Sequence, residues 1–192
     1  MKIARYFILI ILALFLAACG KGEIESNMPE KQVEDFEFTT QDNETLSLED
    51  LKGQWWVADF IFTNCTTVCL PMTSNMVHLQ SKLKEENLQE VQLVSFTVDP
   101  EIDSPEVLKE YAEGYQADLS NWTFLTGYDF ETIKDFSYNS FMSMLAKTPD
   151  SDQVQHTIRF FLVNPDGVII KSYLGDQYEQ MDVIIEDLKK VL

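Results

Sequence analysis

Three cysteines and two histidines are all that this 192-residue chain holds of the side chains most often used for soft-metal and redox chemistry. Scarcity narrows the search. Two of the cysteines, Cys65 and Cys69, lie four positions apart, so the thiols of the folded part fall in one short stretch. A bridge closing so small a loop gains only about 2 kcal/mol on the chain-entropy estimate, which argues against a structural staple. Positive charge is also in short supply: 14 lysines and arginines face 32 acidic residues, for a net charge of −18. That balance argues against nucleic acid and against docking on anionic headgroups. No internal repeat is visible, and the one long apolar run, residues 6–18, is too short for a comfortable membrane span.

What is present begins with export. Lys2 and Arg5 precede the apolar run, the layout of a signal peptide over residues 1–18. Leu16-Ala17-Ala18-Cys19 resembles the lipobox of bacterial lipoproteins. This implies cleavage before Cys19, a lipid on its sulfur, and an anchor at the outer face of the cytoplasmic membrane. Loss of Lys2 and Arg5 takes the net charge from −18 to −20. Residues 19–33 are small and polar without apolar periodicity, and are expected to be a lipidated tether. Residues 34–192 have the size of one domain.

Along that domain, strands and helices alternate. Residues 36–39 and 45–48 read as a hairpin. Residues 55–62 form an aromatic and β-branched run suited to a buried central strand, in which the carboxylate of Asp59 is an anomaly. Met72, Met76, Leu79 and Leu83 draw one stripe on a helix from Pro71 to about Leu88, so the two methionines are expected in the core rather than on a metal. A strand over 91–98 stops at an Asp99-Pro100 turn, and Ser104-Pro105-Glu106 opens a helix to about Tyr115. A strand over 122–127, a helix over 129–144, a hairpin of 157–163 and 168–173 about Asn164-Pro165-Asp166-Gly167, and an amphipathic helix over 178–192 complete the order. The alternation indicates an α/β fold, one sheet with helices on both faces.

Functional groups on such sheets gather where strands end and helices begin, which is where Cys65 falls. At i and i+4 the two thiols share a helical face with Cβ atoms about 6 Å apart, near enough to share a metal or, after modest unwinding, to close a disulfide. A helix amino terminus would lower their pKa. His78 lies about 130° from the apolar stripe and is expected at the surface. His156 stands before the last hairpin, after Gln155. Arg159, three residues further on, is either an exposed strand position or a partner contact.

The order of elements resembles a thioredoxin-like fold, a central mixed sheet flanked by helices, with an N-terminal β-hairpin extension. In that fold a cis-proline usually precedes the last hairpin; here His156-Thr157 takes its place, and Cys-x-x-x-Cys replaces Cys-x-x-Cys. Phe62-Thr63-Asn64-Cys65-Thr66-Thr67-Val68-Cys69, Phe96-Thr97-Val98-Asp99-Pro100, Trp122-Thr123-Phe124-Leu125-Thr126-Gly127 and His156-Thr157 together resemble the Sco/SenC family of copper proteins. These assist the assembly of cytochrome c oxidase. The resemblance implies copper, as Cu(I) or Cu(II), on Cys65, Cys69 and His156, a soft donor set suited to that metal. It also implies a Cys65–Cys69 disulfide in the metal-free oxidised state, and action as a metallochaperone for the dinuclear copper site of oxidase subunit II. The chain departs from the pattern twice: Pro71 comes one place late after Cys69, and Gln155 stands where an acid often precedes the histidine. Two other readings stay open. One is a thiol-disulfide oxidoreductase or redox sensor working through Cys65 and Cys69; the other, ranked last, is a thiol peroxidase with Arg159 beside the sulfur.

Overall fold

A computed structural model describes residues 22–65, 69–149 and 151–192 of the chain. The expected signal peptide and the lipidation site Cys19 lie outside the described residues. In chain order the elements are β1 (Lys31–Gln32), β2 (Glu37–Thr40), β3 (Thr45–Ser47), α1 (Leu48–Leu51), β4 (Trp56–Ile61), α2 (Cys69–Glu85), β5 (Gln92–Thr97) and α3 (Pro105–Gly114). They continue as β6 (Trp122–Thr126), α4 (Phe130–Phe141), β7 (Ala146–Lys147), β8 (Val154–Gln155), β9 (Arg159–Val163), β10 (Val168–Leu174) and α5 (Gln180–Val191).

Every residue of β4 is buried, as a strand covered on both faces requires. It pairs parallel with β5, and β5 with β6, while β9 lies antiparallel on its other side. The full sheet runs β1-β10-β9-β4-β5-β6-β2-β3, with the β2–β3 hairpin added at the β6 edge. This is the thioredoxin-like α/β arrangement.

Alternation along β4 sends side chains into two apolar layers. Val57 and Ile61 join Met72, Met76, Leu79 and Leu83 of α2 and Ile184 and Leu188 of α5. Trp56, Ala58 and Phe60 join Phe96 and, from α4, Phe136 and Phe141. Met72 and Met76 are fully buried, as their stripe implies. Asp59 shares the face of Val57 and Ile61, which places a carboxylate in the layer beneath α2.

The structure differs from expectation in four places. Residues 22–33 do not hang free: Ile24 and Val33 are buried, the Gly22 N–H donates to the Lys190 carbonyl at 2.7 Å, and β1 extends the sheet beside β10. Two isolated apolar residues leave no periodicity to read. Leu48 opens the short helix α1 rather than ending a strand, because Ser47 and Asp50 form a reciprocal capping box. Helix α2 starts at Cys69, so Pro71 falls in its first turn, where a missing N–H costs no helical bond. Helix α4 stops at Phe141 because Met142 takes a left-handed conformation, φ 53°, and the β7–β8 hairpin follows.

Candidate metal centre

The chain leaves β4 at Ile61 and turns at Phe62, whose carbonyl accepts the Cys65 N–H at 3.3 Å. Asp103 fixes this turn from the side. Its carboxylate accepts the Thr63 N–H at 3.1 Å, the Thr63 hydroxyl at 2.5 Å and the Thr97 hydroxyl, so it ties the thiol loop to the end of β5. Burial pushes the Asp103 carboxyl up, and the threonine bonds oppose the shift. In the sequence Asp103 opens a segment, Asp103 to Tyr111, that shares in the family resemblance, but nothing there assigns it this tie to Thr63 and Thr97.

His156 reaches the thiols from the end of β8. Its Nδ1 lies 2.8 Å from the Thr157 carbonyl. A carbonyl only accepts, so Nδ1 carries the proton and Nε2 presents a lone pair. That Nε2 lies 3.4 Å from the Cys69 Sγ, and the Cys69 N–H donates to the Cys65 Sγ, also at 3.4 Å. The Phe62 ring meets the imidazole edge-on at 5.8 Å. The ligand atoms of Cys65, Cys69 and His156 all lie within 4.8 Å of one another, the one such cluster of His, Cys, Asp and Glu among the described residues. Bonds of about 2.0 Å to nitrogen and 2.3 Å to sulfur set trigonal ligands roughly 4 Å apart, so small side-chain adjustments admit one ion. Cys65 is 8% exposed and Cys69 1%, whereas His156 is only half-buried. The sulfurs are sealed and the imidazole is the accessible member.

No disulfide joins Cys65 and Cys69 in this structure. Burial pushes the Cys69 thiol well above its ordinary pKa, with further upward contributions from Cys65 and the charge of Asp59. The expected lowering at a helix amino terminus is therefore reversed for Cys69, because desolvation outweighs the helix end. A bound cation would take the place of the proton.

Asp59 lies beneath this centre, opposite Ser95 in the sheet register. One carboxylate oxygen accepts the Ser95 hydroxyl at 2.6 Å, and the Ser95 oxygen in turn accepts the Trp122 indole N–H at 2.9 Å. The other oxygen has no hydrogen-bond partner among the described residues. Burial raises Asp59 to about 7, against the opposing effects of Ser95 and His156.

The remaining candidates resolve as follows. Asp99 ends β5 in a turn, its carbonyl accepting from the Ile102 and Asp103 N–H groups at 3.0 and 2.9 Å. Gln155 is exposed and pairs with Ala146 in the β7–β8 hairpin. That hairpin is pinned to the thiol loop: Asn64 Nδ2 donates to Asp152 at 2.6 Å, and Gln153 Nε2 donates to the Asn64 carbonyl at 3.0 Å. Arg159 donates to the Ser172 hydroxyl on β10 at 3.0 Å. His78 is half-buried rather than solvent-flanking, because Tyr178 stacks on it at 4.2 Å as the chain enters α5.

Comparison with known proteins places this arrangement. The SCO1/SenC family model matches residues 24–192. The SCO1 protein homolog of Bacillus subtilis (strain 168) is 46% identical over 189 residues, 98% of this chain and 97% of that protein. The crystal structure of a SCO1/SenC family lipoprotein from Bacillus anthracis str. Ames is 46% identical, with a TM-score of 0.80 over 84% of this chain and 95% of that one. BsSco, a cytochrome c oxidase assembly protein of the Sco family in which a disulfide switch has been identified, is 47% identical, with a TM-score of 0.78 over 86% of this chain and 96% of its own. With a family model matching residues 24–192 and a relative 46% identical over 98% of the chain, the chain belongs to the SCO1/SenC family.

Proposed function

We propose that this protein is a lipid-anchored, extracytoplasmic copper carrier that delivers copper to the dinuclear site of cytochrome c oxidase subunit II during its assembly. The observation that carries the reading is the cluster of two buried sulfurs and one half-exposed imidazole nitrogen within 4.8 Å. Thiolates are soft ligands that select Cu(I), zinc or iron–sulfur clusters. A structural zinc site takes four protein ligands, and no fourth His, Cys, Asp or Glu joins this group among the described residues. Three donors suit Cu(I), and an added oxygen or other ligand would serve Cu(II). The Nδ1 bond to the Thr157 carbonyl orients the ring and makes Nε2 a better donor. Asp103 holds the thiol loop in place for the exchange. The oxidase role is supported by BsSco, and an anchor on Cys19 by the Bacillus anthracis relative, itself a lipoprotein.

The adjacency of Cys65 and Cys69 favours a second state. Loss of two electrons and two protons to an oxidant closes a disulfide between them and removes two of the three ligands. As an activity in its own right, that chemistry would make the protein a thiol-disulfide oxidoreductase. Anaerobic Cu(I) titration against a competing chelator, on wild type, Cys65→Ser, Cys69→Ser and His156→Ala, separates the two. Loss of a ligand should weaken binding by more than the about 10- to 100-fold typical of a supporting group. Unchanged affinity in His156→Ala, with rapid metal-independent turnover of a model disulfide, would overturn the copper reading in favour of the oxidoreductase.

A further inference from the structure

We infer that residues 22–33 act as a docked strap that stands the domain upright on its lipid anchor. The thiol–imidazole centre is then held at the end remote from the bilayer, where it fits an acceptor whose copper site projects well clear of the membrane. The inference rests on the anchor at Cys19 proposed above. For the nature of the acceptor it also rests on the copper reading, which the Cu(I) titration tests separately.

The strap is bound along its length. The Gly22 N–H donates to the Lys190 carbonyl in the last turn of α5, at 2.7 Å, and Ile24 is buried in the layer of Leu188 and Val191. Asn27 bonds the Ser172 backbone twice, donating from Nδ2 to the carbonyl at 2.7 Å and accepting the N–H on Oδ1 at 3.0 Å. β1 then pairs with β10, and the Val33 N–H donates to the Gly167 carbonyl at 3.0 Å. Val33 is 1% exposed.

Where the strap begins decides where the anchor joins. Gly22 shares a cavity with Trp55, Ile170 and Val191, at the entry to β4, whereas Cys65 follows the exit of that strand. The six residues of β4 span about 20 Å, so the start of the strap and the metal centre lie at opposite ends of the domain. Cys19 is three positions before Gly22, a reach of at most about 11 Å. A free tether from Cys19 to Val33 would reach about 50 Å and let the domain turn either end to the lipid. Docking removes that freedom. Lying flat is opposed by charge, because anionic headgroups repel a chain of net charge −18. The centre, with its half-exposed imidazole, therefore faces away from the lipid. An acceptor site at headgroup level cannot meet it; one borne on a water-exposed domain of a membrane protein can.

The test places a fluorescent donor at either end of the acylated chain, in a Cys65→Ser/Cys69→Ser background. One label sits at Lys189→Cys, beside the start of the strap, and the other at Ile102→Cys, a position 57% exposed and adjacent to Asp103. Vesicles of phosphatidylethanolamine and phosphatidylglycerol carry a rhodamine headgroup as acceptor. Energy transfer is expected to place the Lys189 label near the lipid and the Ile102 label about 20 Å further out. Adding Ile24→Ser/Val33→Ser, which frees the strap, should bring both labels to a common mean distance. Equal distances with the strap intact, or an Ile102 label nearer the lipid, would overturn the inference. Unprotected amide hydrogen exchange at Gly22 and Val33 in the otherwise folded wild type would also overturn it, and needs no variant. Absence of an acyl group on Cys19 by mass spectrometry would overturn the anchor reading itself, even with the strap protected from exchange.

Discussion

Replacing Asp59 with asparagine should change stability in a pH-dependent way that reports on the buried carboxyl directly. Asp59 is 0% exposed, one oxygen is bonded to Ser95, the other is without a partner among the described residues, and burial raises the group from 3.8 to about 7. Because the folded-state value lies above the unfolded one, the stability contributed by the protonated form is fully present below about 3.8 and is lost as pH rises through about 7. At 1.36 kcal/mol per pKa unit, the neutral acid contributes roughly 3 kcal/mol at about pH 5 and almost nothing at about pH 8. Asparagine does not titrate, so any fixed cost of its amide is the same at both values, and titrating groups remote from Asp59 cancel between the two proteins. Asp59→Asn should therefore gain roughly 2–3 kcal/mol on wild type between about pH 5 and about pH 8, on the order of 5–10 °C in Tm. Thermal unfolding of the reduced, metal-free proteins at both pH values measures this. A gap between wild type and variant that is equal at the two would refute the reasoning. The same substitution removes one of the influences that raise Cys69, so that thiol should ionise at lower pH in the variant.

Three further outcomes are expected. Cu(I) affinity, followed by chelator competition, should rise by at least about tenfold per pH unit through neutrality, because binding displaces the Cys69 proton and burial shifts that thiol upward. Asp103→Ala leaves the Thr63 N–H and the Thr63 and Thr97 hydroxyls without their shared acceptor, and should lower the unfolding free energy by about 3 kcal/mol in urea melts while weakening copper binding. Leu79→Ala opens the fully buried layer beneath α2 and should cost about 2–5 kcal/mol with an unchanged urea m-value.

Periodicity carried the reading furthest where apolar residues are many. The Met72-Met76-Leu79-Leu83 stripe and the continuous apolar run of β4 both occupy the core positions that their patterns imply. Asp59 was visible as an exception to its run, since no apolar strand admits a carboxylate without a reason, although its bond to Ser95 depends on strand register. The closeness of His156 to Cys69 spans 87 positions and was legible only through the order of elements that makes a thioredoxin-like sheet. What stayed hidden is what single side chains decide in three dimensions. Val33 is buried beside the edge strand β1 and Ile24 in the layer of α5, neither encoded locally, and Asp103 acts through partners at Thr63 and Thr97. His78 was expected at the surface from its angle to the apolar stripe, but Tyr178, a hundred positions away, stacks on it and leaves it half-buried.

The most direct test of the central claim is copper K-edge X-ray absorption of the protein loaded with one equivalent of Cu(I). The account predicts a first shell of two sulfurs and one imidazole nitrogen, with the nitrogen lost in His156→Ala and one sulfur lost in either Cys65→Ser or Cys69→Ser. A first shell of sulfur alone in wild type, unaltered by His156→Ala, would contradict it.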